Sequence, residues 1–216
     1  MLVLGFDTST PTVTVALYDG ASVLAAAERP EGQRHAELLA PAIAAVLAET
    51  GATPGDLTHV AVGVGPGPFT GLRVGLMTAR AMTHALSIPL LGVVSHDALA
   101  AAAGDGPLVV VTDARRKEVY WSSYDDDLQR VAGPGVERPV ALAERLRGSG
   151  FEGRLVGAGA AAYRAELADW TAAGPDAPSG GEIAALAVAG RTADVAPLYL
   201  RRPDAVVPGP PKPVLR

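Results

Sequence analysis

Apolar and polar positions along the chain alternate in ways that predict strands first and helices afterwards. Residues 2–8 read as a buried strand, 12–18 as a second with Thr/Val/Ala alternation, and 22–28 as a third. The polar run Asp7-Thr-Ser-Thr-Pro11 makes a tight turn between the first two, and Asp19-Gly20 is a hairpin signal. In residues 35–50, Leu38, Leu39, Ala42, Ile43, Val46 and Leu47 recur at three- and four-residue spacings, predicting an amphipathic helix stopped by Gly51. Pro41 removes one backbone bond from that helix and should kink its first turns. Residues 58–64 are apolar and rich in β-branched side chains, like a strand buried on both faces. Gly65-Pro-Gly-Pro68 then interrupts regular structure, and residues 69–86 read as one helix begun by Pro68. A further strand is expected over 89–94.

A composition shift at Ala101-Ala-Ala-Gly-Asp-Gly-Pro107 marks an expected boundary between a first lobe, 1–104, and a smaller second lobe, 105–201. In the second, strands are predicted at 108–112 and 118–124, around a turn from Asp113 to Lys117. A helix at 139–147, a short strand at 154–156, a Gly157-Ala-Gly159 turn and helices at 160–169 and 181–189 follow. Nothing in the sequence itself indicates that this half repeats the first. Residues 202–216 hold Pro203, Pro208, Pro210, Pro211 and Pro213 and are expected to be an extended, mobile tail. This mixed α/β order fits several folds.

The helix at 69–86 carries small residues four apart, Gly71, Gly75, Ala79 and Thr83. Each glycine costs about 1 kcal/mol against alanine in a helix interior, so close packing is the expected compensation. Phosphate binding is the competing explanation. A dinucleotide fingerprint fails because Pro68 stands where its third glycine belongs, and a P-loop fails because Leu72 and Arg73 follow Gly71. Arg73 beside a helix start remains able to hold an anion.

Composition narrows the classes. With 49% hydrophobic residues and a mean hydropathy of +0.23, the chain reads as globular. It has no cysteine, which excludes disulfides, thiolate metal sites and a cysteine nucleophile. No apolar run approaches a membrane span and no signal peptide is visible, so a cytoplasmic protein is expected. A net charge of −5 and a pI near 5.3 argue against a broad nucleic-acid surface, although Arg115-Arg-Lys117 forms a local basic spot. No Gly-x-Ser-x-Gly elbow occurs. His59, His84 and His96 are scattered singly, and Tyr120-Trp121 offers either a base-stacking surface or core.

The block Gly65-Pro-Gly-Pro-Phe-Thr-Gly-Leu-Arg-Val-Gly75 resembles the signature of the TsaB (YeaZ) family. The resemblance continues at Asp7-Thr-Ser9, His35-Ala-Glu-Leu-Leu39, Asp113-Ala-Arg-Arg-Lys-Glu-Val-Tyr120 and Pro197-Leu-Tyr-Leu-Arg201. It implies a two-lobed actin-like ATPase (ASKHA) fold with ribonuclease-H-like mixed sheets. In that fold Asp7 would sit near a nucleotide's metal, with Thr8 and Ser9 offering hydroxyls and amides to phosphate. The second-lobe loop at Asp113 lacks the glycine that ATP binding wants there, so the nucleotide site reads as vestigial. The related TsaD carries His-x-x-x-His on the first helix as metal ligands; here Leu39 replaces the second histidine.

By this resemblance the chain is a subunit without catalytic residues or a cofactor of its own, ATP and metal belonging to its partners. TsaD transfers a threonylcarbamoyl group to the adenosine next to the anticodon of tRNAs reading codons that begin with A, with the ATPase TsaE taking part. tRNA would be reached indirectly through the complex, and no membrane is involved. Residues 69–86 are apolar or small nearly all round, more than one core-facing stripe needs. The expected contact surface is therefore His35, Leu38, Leu39, Ala42, Ile43 and Val46 with Gly71, Leu72, Gly75 and Ala79. It would form a four-helix bundle with TsaD, or with a second copy in a homodimer. The alternative is an autonomous actin-like ATPase or metallopeptidase.

Overall fold

The computed structural model describes residues 1–30 and 34–201. The proline-rich tail lies outside the described residues, as do residues 31–33. Strands β1 (Val3–Asp7), β2 (Val13–Tyr18) and β3 (Val23–Arg29) lead into helix α1 (His35–Thr50), then β4 (His59–Gly63), α2 (Phe69–Leu86), β5 (Leu90–Val93) and α3 (Ser95–Ala103). Next come β6 (Leu108–Asp113), β7 (Val119–Tyr124), β8 (Arg130–Glu137), α4 (Pro139–Gly148), β9 (Arg154–Val156), α5 (Ala158–Ala162) and α6 (Gly180–Val188).

The strands form two sheets, ordered β3-β2-β1-β4-β5 and β8-β7-β6-β9. In the first, β1 runs antiparallel to β2 and parallel to β4; in the second, β6 runs antiparallel to β7 and parallel to β9. The second half thus repeats the first in topology, which the sequence does not disclose. This is the two-lobed actin-like arrangement built on ribonuclease-H-like sheets.

One face of the first sheet is covered by α1, packed on β2 and β3, and by α2, packed on β4. Leu39, Ala42, Ile43, Val46 and Leu47 of α1 enter that core with Leu4, Phe6, Val60, Val62 and Leu76. Burying such an aliphatic side chain is worth roughly 1.5–3 kcal/mol, so this stripe is taken by the chain itself. Leu72, Gly71, Gly75 and Ala79 of α2 are buried too, and Leu38 is half-buried against the same core. The expectation that these residues form a surface for another molecule is corrected on that ground. Helix α1 runs unbroken through Pro41.

The other face is covered, unexpectedly, by α6 from the end of the chain, which packs on β1 and β2, while α3 lies against α6 and the second sheet. Ala193 then pairs with Gly92, and Leu198 N donates to Val64 O at 2.8 Å. Residues 180–198 therefore pack with the first sheet rather than with the second lobe, where they were expected. Two further elements went unforeseen. Helix α3 is alanine-rich, and β8 holds Gly133-Pro134-Gly135, which an edge strand tolerates because one side of it needs no ladder bonds. The helix expected at 160–169 is only the five-residue α5 followed by turns.

Candidate functional site

Strand β1 ends in Asp7, and the turn after it lies against the start of α2. Asp7 is fully buried (0% exposed), and both its oxygens are occupied. Oδ1 accepts from Ser9 N at 2.7 Å and Ser9 Oγ at 2.6 Å; Oδ2 accepts from Ser95 Oγ at 2.5 Å. Burial raises the Asp7 pKa above the usual carboxylate range, and the Ser9 and Ser95 bonds and the His35 charge partly offset it.

What lets the turn sit so close is a run of glycines four apart, Gly63, Gly67, Gly71 and Gly75. A Cβ at Gly63 would run into Asp7 Oδ2, one at Gly67 into the Ser9 backbone, one at Gly71 into Thr8 O and one at Gly75 into Thr8 Oγ1. Thr8 Oγ1 in turn donates to Gly71 O at 2.8 Å. The helix glycines are thus compensated by close packing, as expected, but the group they admit is this chain's own turn. His35 closes the far side, its Nε2 lying 2.7 Å from Thr10 O.

Three consecutive residues at the start of α3 join the two sheets. Ser95 reaches Asp7; His96 places Nδ1 2.8 Å from Ser122 Oγ and Nε2 3.0 Å from Thr112 Oγ1; Asp97 accepts from the Tyr124 hydroxyl at 2.7 Å. Burial pushes the His96 pKa down to about 3, with Arg130 adding to the effect, so the ring is neutral at physiological pH. The sequence reading treated His96 as isolated. Its partners are 16 and 26 residues away, and only the pairing of β6 with β7 brings them to one place.

Strand β6 ends in Asp113, topologically equivalent to Asp7. Its Oδ1 accepts from Arg115 N at 2.9 Å, and the Arg115 guanidinium stands 3.8 Å from Oδ2. Arg115, Arg116 and Lys117 all have positive φ, 62°, 54° and 60°, a conformation costing a non-glycine residue roughly 1–2 kcal/mol. Arg201 supports this turn, donating to Ala114 O at 3.0 Å and pairing with Glu118. Between the two turns lies a cavity of about 260 Å³, lined by Thr8, Thr10, His35, Thr70, Asp113 and Arg115 among others.

The residues that the fold would turn toward a nucleotide's metal do not fit that task. Asp7 is wholly buried with each oxygen already accepting a hydrogen bond, it does not line the cavity, and Ser9 is committed to Asp7. Among the described residues no group of three His, Asp or Glu side chains is placed to hold a metal ion.

The family model for TsaD, described as tRNA N6-adenosine threonylcarbamoyltransferase, matches residues 29–194. The tRNA threonylcarbamoyladenosine biosynthesis protein TsaB of Escherichia coli is 30% identical over 74% of this chain and 72% of its own. The chain belongs to the TsaB (YeaZ) family. An uncharacterized protein of Mycobacterium tuberculosis is 44% identical over 94% of this chain and 93% of its own. The solved structure of YeaZ from Pseudomonas aeruginosa superposes with a TM-score of 0.75 at 24% identity, covering 92% of this chain and 99% of that one.

Within this TsaB-family fold, the outward faces of α1 and α2 are exposed among the described residues. On α1 they carry Ala36, Ala40, Pro41, Ala44, Ala45 and Ala48; on α2, Phe69, Arg73, Met77, Arg80, Ala81 and His84. Phe69 and Met77 are large hydrophobics exposed by 37% and 51%. Tyr120 and Trp121 are buried, so they are core rather than a base-stacking surface. Among the described residues no helix is long and apolar enough to cross a membrane.

Proposed function

We propose that this chain is the accessory, non-catalytic subunit of a threonylcarbamoyl-transfer complex acting on tRNA, and that it works by binding and organising a TsaD-type transferase. The observation that carries this reading is the occupied Asp7: the carboxylate equivalent to a metal-facing group in actin-like ATPases is sealed by Ser9, Ser95 and Gly63. A fold kept intact around such a closed centre has its surface left to act with. ATP and metal then belong to the partners, TsaD and the ATPase TsaE, and tRNA is engaged by the assembly, at the adenosine next to the anticodon.

The contact surface in this proposal is the outward face of α1 and α2, not the stripes expected from periodicity. Ala36, Ala40, Ala44 and Ala48 fall one helical turn apart and stand exposed, so another helix can approach α1 closely. Phe69 and Met77 supply apolar area beside it. A paralogue with equivalent helices would complete a four-helix bundle, and a second copy could do the same across a two-fold axis. Size-exclusion chromatography of the chain with its cognate TsaD tests the reading. Co-elution of the wild type, lost on Ala44→Arg while circular dichroism stays native, is expected. Co-elution unaffected by Ala44→Arg would remove this surface from consideration, and no complex under any condition would refute the accessory role.

A further inference from the structure

The turn after β6 displays three consecutive basic side chains, Arg115, Arg116 and Lys117, all exposed. A run of left-handed residues coils tightly and sends successive side chains to different sides, making a small knob of positive charge. Its base is firmly held. Glu118 N donates to Arg115 O at 3.0 Å, Ala114 N donates to Glu118 O at 2.9 Å, and Arg201 ties Ala114 to Glu118. Among the described residues, Glu118 faces Arg201, and Asp113 faces the Arg115 amide and guanidinium.

The segment carrying Arg201 is itself anchored on the start of α2. Tyr199 stacks on Phe69 with ring centroids 4.9 Å apart. The Arg73 guanidinium lies 3.7 Å over the Phe69 ring, and its Nε donates to the Tyr199 hydroxyl at 3.3 Å. A chain of net charge −5 thus carries three consecutive cations on one tethered turn.

We propose that the 115–117 turn contacts the phosphate backbone of RNA directly. This rests on the reading of the chain as a subunit of a tRNA-modifying assembly and goes beyond it, because there tRNA is engaged through the partners. Arginine and lysine neutralise phosphates whatever the base sequence, and each contact releases counterions, so binding weakens with salt. A backbone held in advance leaves only side chains to be ordered on binding. The rival occupant is an acidic protein surface.

The test is fluorescence anisotropy of an unmodified tRNA transcript reading a codon that begins with A, titrated with the chain assembled on its TsaD-type transferase. Titrations run from about 50 to 200 mM salt, the range over which phosphate contacts show. The variant combining Arg115→Asn, Arg116→Asn and Lys117→Asn removes the charges with a residue that tolerates left-handed backbone. It is expected to lower the salt slope by about 2–3 and weaken binding at least about tenfold. Lys117→Asn alone, the milder change should the triple variant misfold, is expected to lower the slope by about 1. Unchanged slope and affinity would overturn the proposal, as would a wild-type assembly binding tRNA no better than the transferase alone. So would variants that lose affinity for the transferase, measured without RNA, while the slope is kept; that result assigns the knob to a protein. If the wild-type chain fails to promote transfer at all, the subunit reading fails. If it promotes transfer and the variants bind tRNA normally, only the RNA contact does.

Discussion

Asp7 and Asp113 occupy equivalent places, each closing the first strand of a sheet and opening the hairpin turn that follows, and they have opposite surroundings. Asp7 is enclosed on a face made of missing side chains, with both oxygens bonded inside the protein. Asp113 is half-exposed, and its turn juts out with three basic residues. The position of a carboxylate in a fold therefore does not fix its chemistry. Glycines four apart convert the first turn into packing, whereas bulky arginines where a glycine loop would be needed convert the second into surface.

The largest effect should come from refilling the glycine face. Gly75→Leu places atoms where Thr8 Oγ1 already stands and is expected to prevent folding or destabilise by more than about 3 kcal/mol, read from chemical denaturation. Ala44→Leu, on the outward face of α1, should change stability by less than about 0.5 kcal/mol. Equal effects would erase the distinction between buried and open faces.

Next in size is removal of the carboxylates themselves. Asp7→Ala leaves the Ser9 amide and two hydroxyls without their acceptor, at an expected cost of about 1–3 kcal/mol. Asp113→Ala, in a wetter turn, should cost less than about 1 kcal/mol. The reverse order would contradict the assignment of the two turns.

A further effect concerns pH. The folded His96 pKa of about 3 lies below the ordinary 6.5, so the folded state resists a proton that the unfolded chain accepts. The associated stability is complete above pH 6.5 and is lost progressively as pH falls toward 3. Thermal melts should show Tm dropping between pH 7 and 4, and His96→Gln should flatten that drop. A variant that keeps the wild-type slope would show that another group sets it.

Much of the fold was legible because its signals are local. Gly51 ends α1 and Pro68 begins α2 where the sequence indicates, and the β1–β2 pair follows the apolar alternation. What each helix face meets was misjudged: the large aliphatics of α1 enter the chain's own core, and on α2 Gly71, Gly75 and Ala79 lie inward while Ala81 lies outward, so small residues satisfy core and surface alike. The Ser95-His96-Asp97 bridge, the return of α6 to the first sheet and the repeat of strand order depend on contacts between distant segments. No periodicity within a window of ten or fifteen residues carries that information.

The closed Asp7 turn is tested most directly by calorimetric titration of the isolated chain with magnesium ATP. The expected result is no saturable heat, unchanged by Asp7→Asn. Tight, magnesium-dependent binding that Asp7→Asn abolishes would show that the carboxylate opens to a nucleotide after all, and the account of an occupied centre would be wrong.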